Sequence, residues 1–540
     1  MPMEIKKEVI KNHFKVQTCA LRCPFKDRPV FILEMALKSD QTTSTMSNGV
    51  DSVDQTQMPF LESLLREKNF RPTSFHMPGH KGTKEHHPML LDYFGCDLNA
   101  ADLVEINQNI DYLHSPKGAL LKAQKLAAAA YGADETFFLI NGSTVGNMAA
   151  IMSVVGPGQK IIMPRASHRS VYGAIVLSGA IPVYIEPDYH PDVGFPLAVS
   201  VQAVRVLLEK HPDVIAIHLT SPNYYGVLSD IGAICKLAHS HKVALLVDEA
   251  HGSHLGLHPD WPKSAVSMQA DIIVQSTHKT QGSLTQSAML HLNNNGLVNR
   301  TRVAQMLSLL QSSSPSSILL ASLDETRMQM ATEGRARLAI TLALAQKVRD
   351  TIRKTDGLWC YGDELIGVTG IFAIDPSKLI IRVNDIGLSG FKASEILRSE
   401  YKVEVEFADL RQIICSLTIA DTEYTTDLLI DALHHLSKHH RQTDHTDFMR
   451  IKLPDGLPRS VINVRDAYFT TKTRRVSLDE GVGHVLVESI IPYPPGVPLL
   501  VPGEIMEQHH LDFLRYFLDK GGYLVGMADP NFRTVSIVDT

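Results

Sequence analysis

The chain has 540 residues, 44% apolar and 20% charged, with a formal net charge of −6. Such proportions suit a globular enzyme, and the length allows about three to four domains. The acidic balance excludes a nucleic-acid footprint, no apolar run is long enough to span a membrane, and six scattered cysteines exclude a disulfide scaffold.

A reducing, cytoplasmic setting is therefore expected. Residues 1–57 open on mixed charges (Glu4, Lys6, Lys7, Glu8, Lys11) and close on SDQTTSTMSNGVDSVDQTQ, a composition that predicts a disordered extension. No apolar core follows the early lysines, so a secretory signal is not expected. An N-terminal segment, 58–116, begins with PFLESLLREKNF, whose Phe60, Leu61, Leu64 and Leu65 mark one side of a helix. In SFHMPGHKG the Pro78-Gly79 pair sets a turn flanked by His76, His80 and Lys81, either a surface turn or a face for an anion. Asp102, Glu105 and Asp111 read as a solvated acidic face.

A large domain is expected over 117–349. GALLKAQKLAAAAYGA predicts a helix stopped by Gly132, and TFFLI (136–140) a strand. NGSTVGNMAAIMSVV then turns into a helix led by Ser143 and Thr144, where free N–H groups, the helix dipole and two hydroxyls can hold an anion. N-capping alone would also account for either hydroxyl. The alternation continues with strands at 160–163, 181–185, 214–219 and 243–247 and helices at 167–179, 200–210 and 230–241. Strands this apolar, alternating with helices, predict a mostly parallel sheet covered on both sides, with ligands at the strands' carboxyl ends.

Thr220, Asp248 and the cluster Ser276, Thr277, His278, Lys279 all fall at such ends. A lysine at the mouth of a buried strand either is an ordinary exposed loop lysine or, partly desolvated, has a lowered pKa and can attack an aldehyde. Hydroxyls and an imidazole beside it suit a phosphate. Pyridoxal phosphate carries both groups. Asp248 would then pair with the protonated pyridine nitrogen, although a structural salt bridge would also satisfy it. His168, leading a helix, could lie against the ring or simply cap.

With HMPGHKG (76–82), NGST (141–144), DEAHGSH (248–254), STHK (276–279) and IPYPPGVPLLVPGE (491–504) in view, the chain resembles the ornithine/lysine/arginine decarboxylases. That resemblance implies a fold-type-I, aspartate-aminotransferase-like α/β large domain, an α+β small domain (350–440) and a C-terminal α+β module (448–540). It implies Lys279 as the lysine that carries pyridoxal phosphate, Asp248 on the ring nitrogen and His168 on the ring. Ser143, Thr144, Ser276 and His278 would hold the phosphate, and His251 of DEAHGSH joins the cofactor-binding set. Ser312 or Ser313, in SSSPSS, would reach the phosphate of a neighbouring subunit in a homodimer or a larger dimer-based assembly. Lys279, His278 and Asp248 are the expected catalytic residues, and no metal is expected. The segment before the match is too short for a receiver-like domain, as in short-form members.

The implied reaction is decarboxylation of a basic amino acid, arginine to agmatine first and lysine or ornithine next. An aminotransferase, with Arg411 holding a carboxylate, and a non-catalytic homologue stay open. SLDETRMQMATEGRARLAITLALAQKVRDTIRKT (322–355) predicts one long connecting helix, and 439–447 a linker. Prolines 492, 494, 495, 498 and 502 predict a stiff wall around a site or interface. Glu488 and Glu504 are acids for which a structural role is favoured over contact with a basic substrate.

Overall fold

The structure, a computed structural model, describes residues 53–540 apart from 71, 84–85, 96, 106–109, 191, 443–455, 495 and 540. Of the extension 1–57 expected to be disordered, residues 1–52 lie outside the described residues, as do residues 443–447 of the 439–447 linker. Residues just inside that boundary are held in place: the buried Arg327 guanidinium donates to Gln55 O (2.7 Å) and Gln57 O, and pairs with Asp324 at 2.7 Å.

The apolar runs become strands β1 (Glu135–Leu139), β2 (Lys160–Pro164), β3 (Ile181–Ile185), β4 (Val214–Thr220), β5 (Val227–Leu228), β6 (Ala244–Asp248), β7 (Ile272–Gln275) and β8 (Ala288–Leu292). All but β5 join one sheet in the order β1-β8-β7-β6-β4-β2-β3. Only β8 runs against its neighbours, so the sheet is mostly parallel, as expected. β6 and β7 are buried along their whole length, which is why neither alternates in polarity.

Helices cover both faces. Ala149, Ile151, Val171, Ile175 and Met306 pack on one side, and Val204, Leu208, Ile234 and Leu237 on the other. The helix Gly142–Val154 lies close to the sheet because residue 146 is glycine. A Cβ there would sit 2.5 Å from Val274 Cγ1 and 2.9 Å from Leu139 Cδ1. Gly142, at φ +70°, lets the chain turn directly from β1 into that helix.

β8 and the helix Arg300–Leu310 were not expected from the sequence. A histidine interrupts the apolar run of β8, and it is buried: His291 bonds Thr136 Oγ1 at 2.8 Å and Gln275 Oε1 at 3.0 Å. The long connector is two helices, Ser317–Thr332 and Gly334–Arg353, separated at Glu333 (φ −116°). Gly334 packs tightly under Met330, where a Cβ would meet the Met330 methyl at 3.1 Å.

Beyond the connector, strands Trp359–Cys360, Lys378–Arg382, Phe407–Ala408 and Gln412–Ser416 form an antiparallel sheet. Helices Gly390–Tyr401 and Glu423–His439 bury Leu397 and Leu433 against its Leu379, Ile381 and Ile413. The C-terminal part pairs Thr473–Ser477 with Thr534–Val538 and Ile491–Tyr493 with Tyr523–Val525. Helix Gln508–Asp519 supplies Leu514 to a cluster with Leu486, Ile490 and Leu524. No helix among the described residues is long and apolar enough to cross a membrane.

Candidate active site

Two neighbouring strand ends create the site. β6 and β7 pair in parallel, Asp248 opposite Val274, so the carboxylate and the Ser276–Lys279 turn leave the same edge of the sheet. Asp248 is buried, and both its oxygens are held. Asn147 Nδ2 donates to Oδ2 at 2.8 Å and Ala250 N–H to Oδ1 at 3.1 Å. Burial raises its pKa, against the pull of the Lys279 charge and these two bonds. A carboxylate so placed is best completed by a cation.

Lys279, an exposed residue, stands near enough for its charge and that of Asp248 to act on each other. The enclosing protein disfavours its ammonium and lowers its pKa; Asp248 opposes that, Lys378 adds to it and Glu406 opposes it. Its Nζ lies 3.1 Å from His251 Nε2. His251 is kept neutral by burial first and then by the charges of Lys279 and Lys378. If Nε2 accepts from the lysine, the proton sits on Nδ1, which is buried and without a partner.

His168 caps the helix Arg169–Ser178, its Nδ1 accepting from Ser170 N–H at 3.2 Å and lying 2.8 Å from Ser170 Oγ. Asn147 Nδ2 also donates to that Oγ, at 3.1 Å, so His168, Ser170, Asn147 and Asp248 form one chain of contacts. Burial, then Lys279 and Arg169, push the His168 pKa down to about 4, leaving a neutral ring. His278 is half-buried with Nδ1 on Ser287 O at 2.6 Å, and burial lowers its pKa too.

On the opposite flank, Ser143 Oγ and Ser276 Oγ meet at 2.7 Å, joining the first turn of one helix to the β7 turn. Thr144, beside them, is exposed. Lys279, Asp248, His168, His251, His278, Ser143 and Ser276 thus surround one edge of the sheet. Ser312 and Ser313 are exposed on a separate loop, where Ser312 N–H donates to Asn141 Oδ1 at 3.2 Å.

Three contributors escaped the sequence reading: Asn147, Ser170 and Tyr224. Asn147 had a visible signal, an amide amid the apolar residues of NMAAIM, since a buried polar group needs partners. The donor set fits pyridoxal phosphate. A buried carboxylate awaits a ring-nitrogen cation, a depressed lysine awaits an aldehyde, and a serine pair at a helix start awaits an anion. Buried, unpartnered Asn147 Oδ1, Thr220 Oγ1, Tyr224 Oη and His251 Nδ1 show polar capacity that the protein itself leaves unused.

Other expectations fall elsewhere. Arg411 lines a different cavity of about 620 Å³, whose lining includes neither Lys279 nor Asp248. Pro492, Pro494 and Pro498 wall that cavity. Glu504 is buried in an ion pair with Arg165 at 2.8 Å, and Glu488 accepts from Ala528 and Ser536 N–H at 2.8 and 2.7 Å; both are structural. Lys81 is tied to His76 O of its own turn, and His80 to Asp102 at 3.2 Å. Asp111 is no free acid: it accepts from Gly118 and Leu120 N–H at 2.6 and 3.1 Å and closes a helix start. Glu507, His509 and His510 group possible metal-ligand atoms, but Glu507 N–H already donates to His510 Nδ1 at 3.0 Å.

Comparison with known proteins adds to this geometry. Residues 58–425 match the family model "Orn/Lys/Arg decarboxylase, major domain", and 451–522 match "Orn/Lys/Arg decarboxylase, C-terminal domain". The chain is 39% identical over 487 residues to an arginine decarboxylase of Bacillus anthracis, covering 90% of this chain and 98% of that one. It is 37% identical to an arginine decarboxylase of Bacillus subtilis, with 90% and 99% covered. In fold it is similar to a lysine decarboxylase of Francisella novicida (TM-score 0.77, 20% identity, 89% and 81% covered). The constitutive lysine decarboxylase of E. coli is similar too (TM-score 0.77, 18% identity, 90% and 82% covered).

Proposed function

The chain belongs to the Orn/Lys/Arg decarboxylase family, and from that premise we propose that it converts L-arginine to agmatine and CO2. It is a decarboxylase of basic amino acids whose family implies pyridoxal phosphate. Arginine is favoured because the relatives at 37–39% identity over 90% of the chain are named arginine decarboxylases. Lysine and ornithine are the next substrates to test. The observation that carries the reading is that Asp248 and Lys279 leave neighbouring strand ends at one edge of the sheet, close enough that each acts on the other's charge.

Bound pyridoxal phosphate supplies an aldehyde that condenses with amines and a protonated ring that withdraws electrons from Cα. Lys279 would hold it. Its lowered pKa makes the neutral, nucleophilic amine more accessible. Asp248, fixed by Asn147 and Ala250, would keep the ring-nitrogen proton in place. Ser143, Ser276 and the N–H groups that start the helix Gly142–Val154 would take the phosphate, with Thr144 and His278 beside them.

Neutral His168 would cover the ring without adding a competing charge, and His251 would hold the lysine nitrogen in position. After CO2 leaves, a proton must return to Cα. Lys279 is the first donor, and His278 the second, since its Nδ1 is engaged by Ser287 O and its Nε2 is the remaining nitrogen. Ser312 and Ser313 would serve a neighbouring subunit in a dimer. The cofactor-loaded protein should release agmatine from arginine, and Lys279→Ala should not. Cadaverine or putrescine as the main amine, from lysine or ornithine offered side by side, would refute the substrate; keto-acid formation would refute the reaction.

A further inference from the structure

One buried group at this site has no task in the mechanism above. Tyr224 stands just beyond β4, whose Thr220 pairs with Asp248. Its hydroxyl is buried and has no hydrogen-bond partner among the described residues. Its ring meets the His251 ring edge-on, with centroids 5.3 Å apart, and His251 in turn contacts Lys279. A buried hydroxyl beside the His251–Lys279 pair, with no acceptor among the described residues, costs stability unless a ligand uses it.

The strand order says which part of the ligand that is. β7 leads to Ser276 and, through it, Ser143; β6 brings Asp248; the loop after β4 carries Tyr224, and β4 lies on the far side of β6 from β7. In pyridoxal phosphate the phosphate arm and the phenolic oxygen lie on opposite sides of the aldehyde carbon. With the ring nitrogen at Asp248 and the phosphate at the serines, the phenolic oxygen faces the β4 flank. We propose that Tyr224 is a further cofactor-binding residue whose hydroxyl donates a hydrogen bond to that phenolic oxygen; this rests on the cofactor reading above.

Tyr224 is suited to donate. Burial, then the Asp248 carboxylate and Tyr493, keep its phenol protonated throughout the working pH range. Donation stabilises the anionic oxygen and weakens its hold on the proton of the neighbouring Lys279-linked nitrogen. Removing the hydroxyl should therefore make that nitrogen more basic. The groups that act on the two sites are Asp248, His251 and Tyr493 around Tyr224, and Asp248, His251, His168, His278, Lys378 and Glu406 around Lys279. None is altered by Tyr224→Phe, which also keeps the ring contact with His251.

The test uses full-length wild type and Tyr224→Phe loaded with pyridoxal phosphate, and in parallel with its 3-deoxy analogue, which lacks the phenolic oxygen. Tyr224→Phe should raise the pH midpoint of the visible absorption band by about one unit and weaken pyridoxal phosphate binding roughly tenfold. With the analogue, the two proteins should bind equally. An unmoved midpoint, or an equal loss of affinity for both compounds, would overturn the assignment. A wild type that forms no visible band would refute the cofactor reading itself, and the assignment with it.

Discussion

Asn147 offers a way to separate the charge on Asp248 from the stability of the fold. It is buried at 1% exposure and, among the described residues, donates the only side-chain hydrogen bond on Asp248, at 2.8 Å, while its own Oδ1 has no partner there. Asn147→Ala removes a hydrogen bond to a charged group, about 1.5–3 kcal/mol, and a second one to Ser170 Oγ, about 0.5–1.5 kcal/mol. It also removes an unsatisfied buried oxygen, which returns about 1–3 kcal/mol, and improves helix propensity by about 0.5 kcal/mol. The small void left behind offsets part of that gain. Global stability should therefore change little, by less than about 2 kcal/mol.

The charge, by contrast, loses its support. With that bond lost, burial raises the Asp248 pKa further. The sign is checkable in the cofactor-free protein. A carboxyl whose folded pKa is raised contributes stability that is full below its unfolded value and lost as pH rises through the folded one. In Asn147→Ala that loss should extend to higher pH. In the loaded enzyme, activity needs Asp248 ionised, so the acid limb of the agmatine-release profile should move to higher pH. A profile with its acid limb unmoved, beside a stability loss above about 3 kcal/mol, would show that Asn147 is only packing.

Three further outcomes follow from single residues. His218 is buried with neither ring nitrogen partnered, and burial pushes its pKa down to about 3. The unfolded chain takes up that proton near 6.5 and the folded chain does not, so stability falls as pH drops from about 6.5 towards 3. His218→Leu should add about 1–3 kcal/mol at neutral pH and flatten that decline, as read by urea unfolding at several pH values. A Cβ at Gly146 would clash with Val274, so Gly146→Ala should cost about 1–3 kcal/mol and weaken cofactor loading by shifting Ser143 and Asn147; unchanged loading would count against the close approach. Glu504→Ala leaves Arg165 buried and unpaired and should cost about 3–5 kcal/mol in urea unfolding, whereas a loss under about 1 kcal/mol would mean the pair is dispensable.

The legible parts of the molecule are those where burial is two-sided. Strands β4, β6 and β7 read as near-continuous apolar runs because no face of theirs meets water, and their polar ends therefore stood out as Thr220, Asp248 and Ser276–Lys279. What stayed hidden depended on partners distant in sequence. β8 carries His291, tolerable only because Thr136 and Gln275 complete it from other strands. Asp111 looked solvated because the helix N–H groups it satisfies have no mark in the sequence. Ser170 is one of several serines, distinguished only by lying between His168 and Asn147. The connector's periodicity ran through Glu333 unbroken, since a local kink beside a glycine leaves the apolar spacing intact.

The central claim is that one amine, Lys279, carries the cofactor opposite Asp248. Borohydride reduction of the loaded protein, followed by peptide mapping, tests it directly. The account expects a single phosphopyridoxyl adduct on Lys279, absent from Lys279→Ala. An adduct on Lys378 or any other lysine, with Lys279 unmodified, would contradict it.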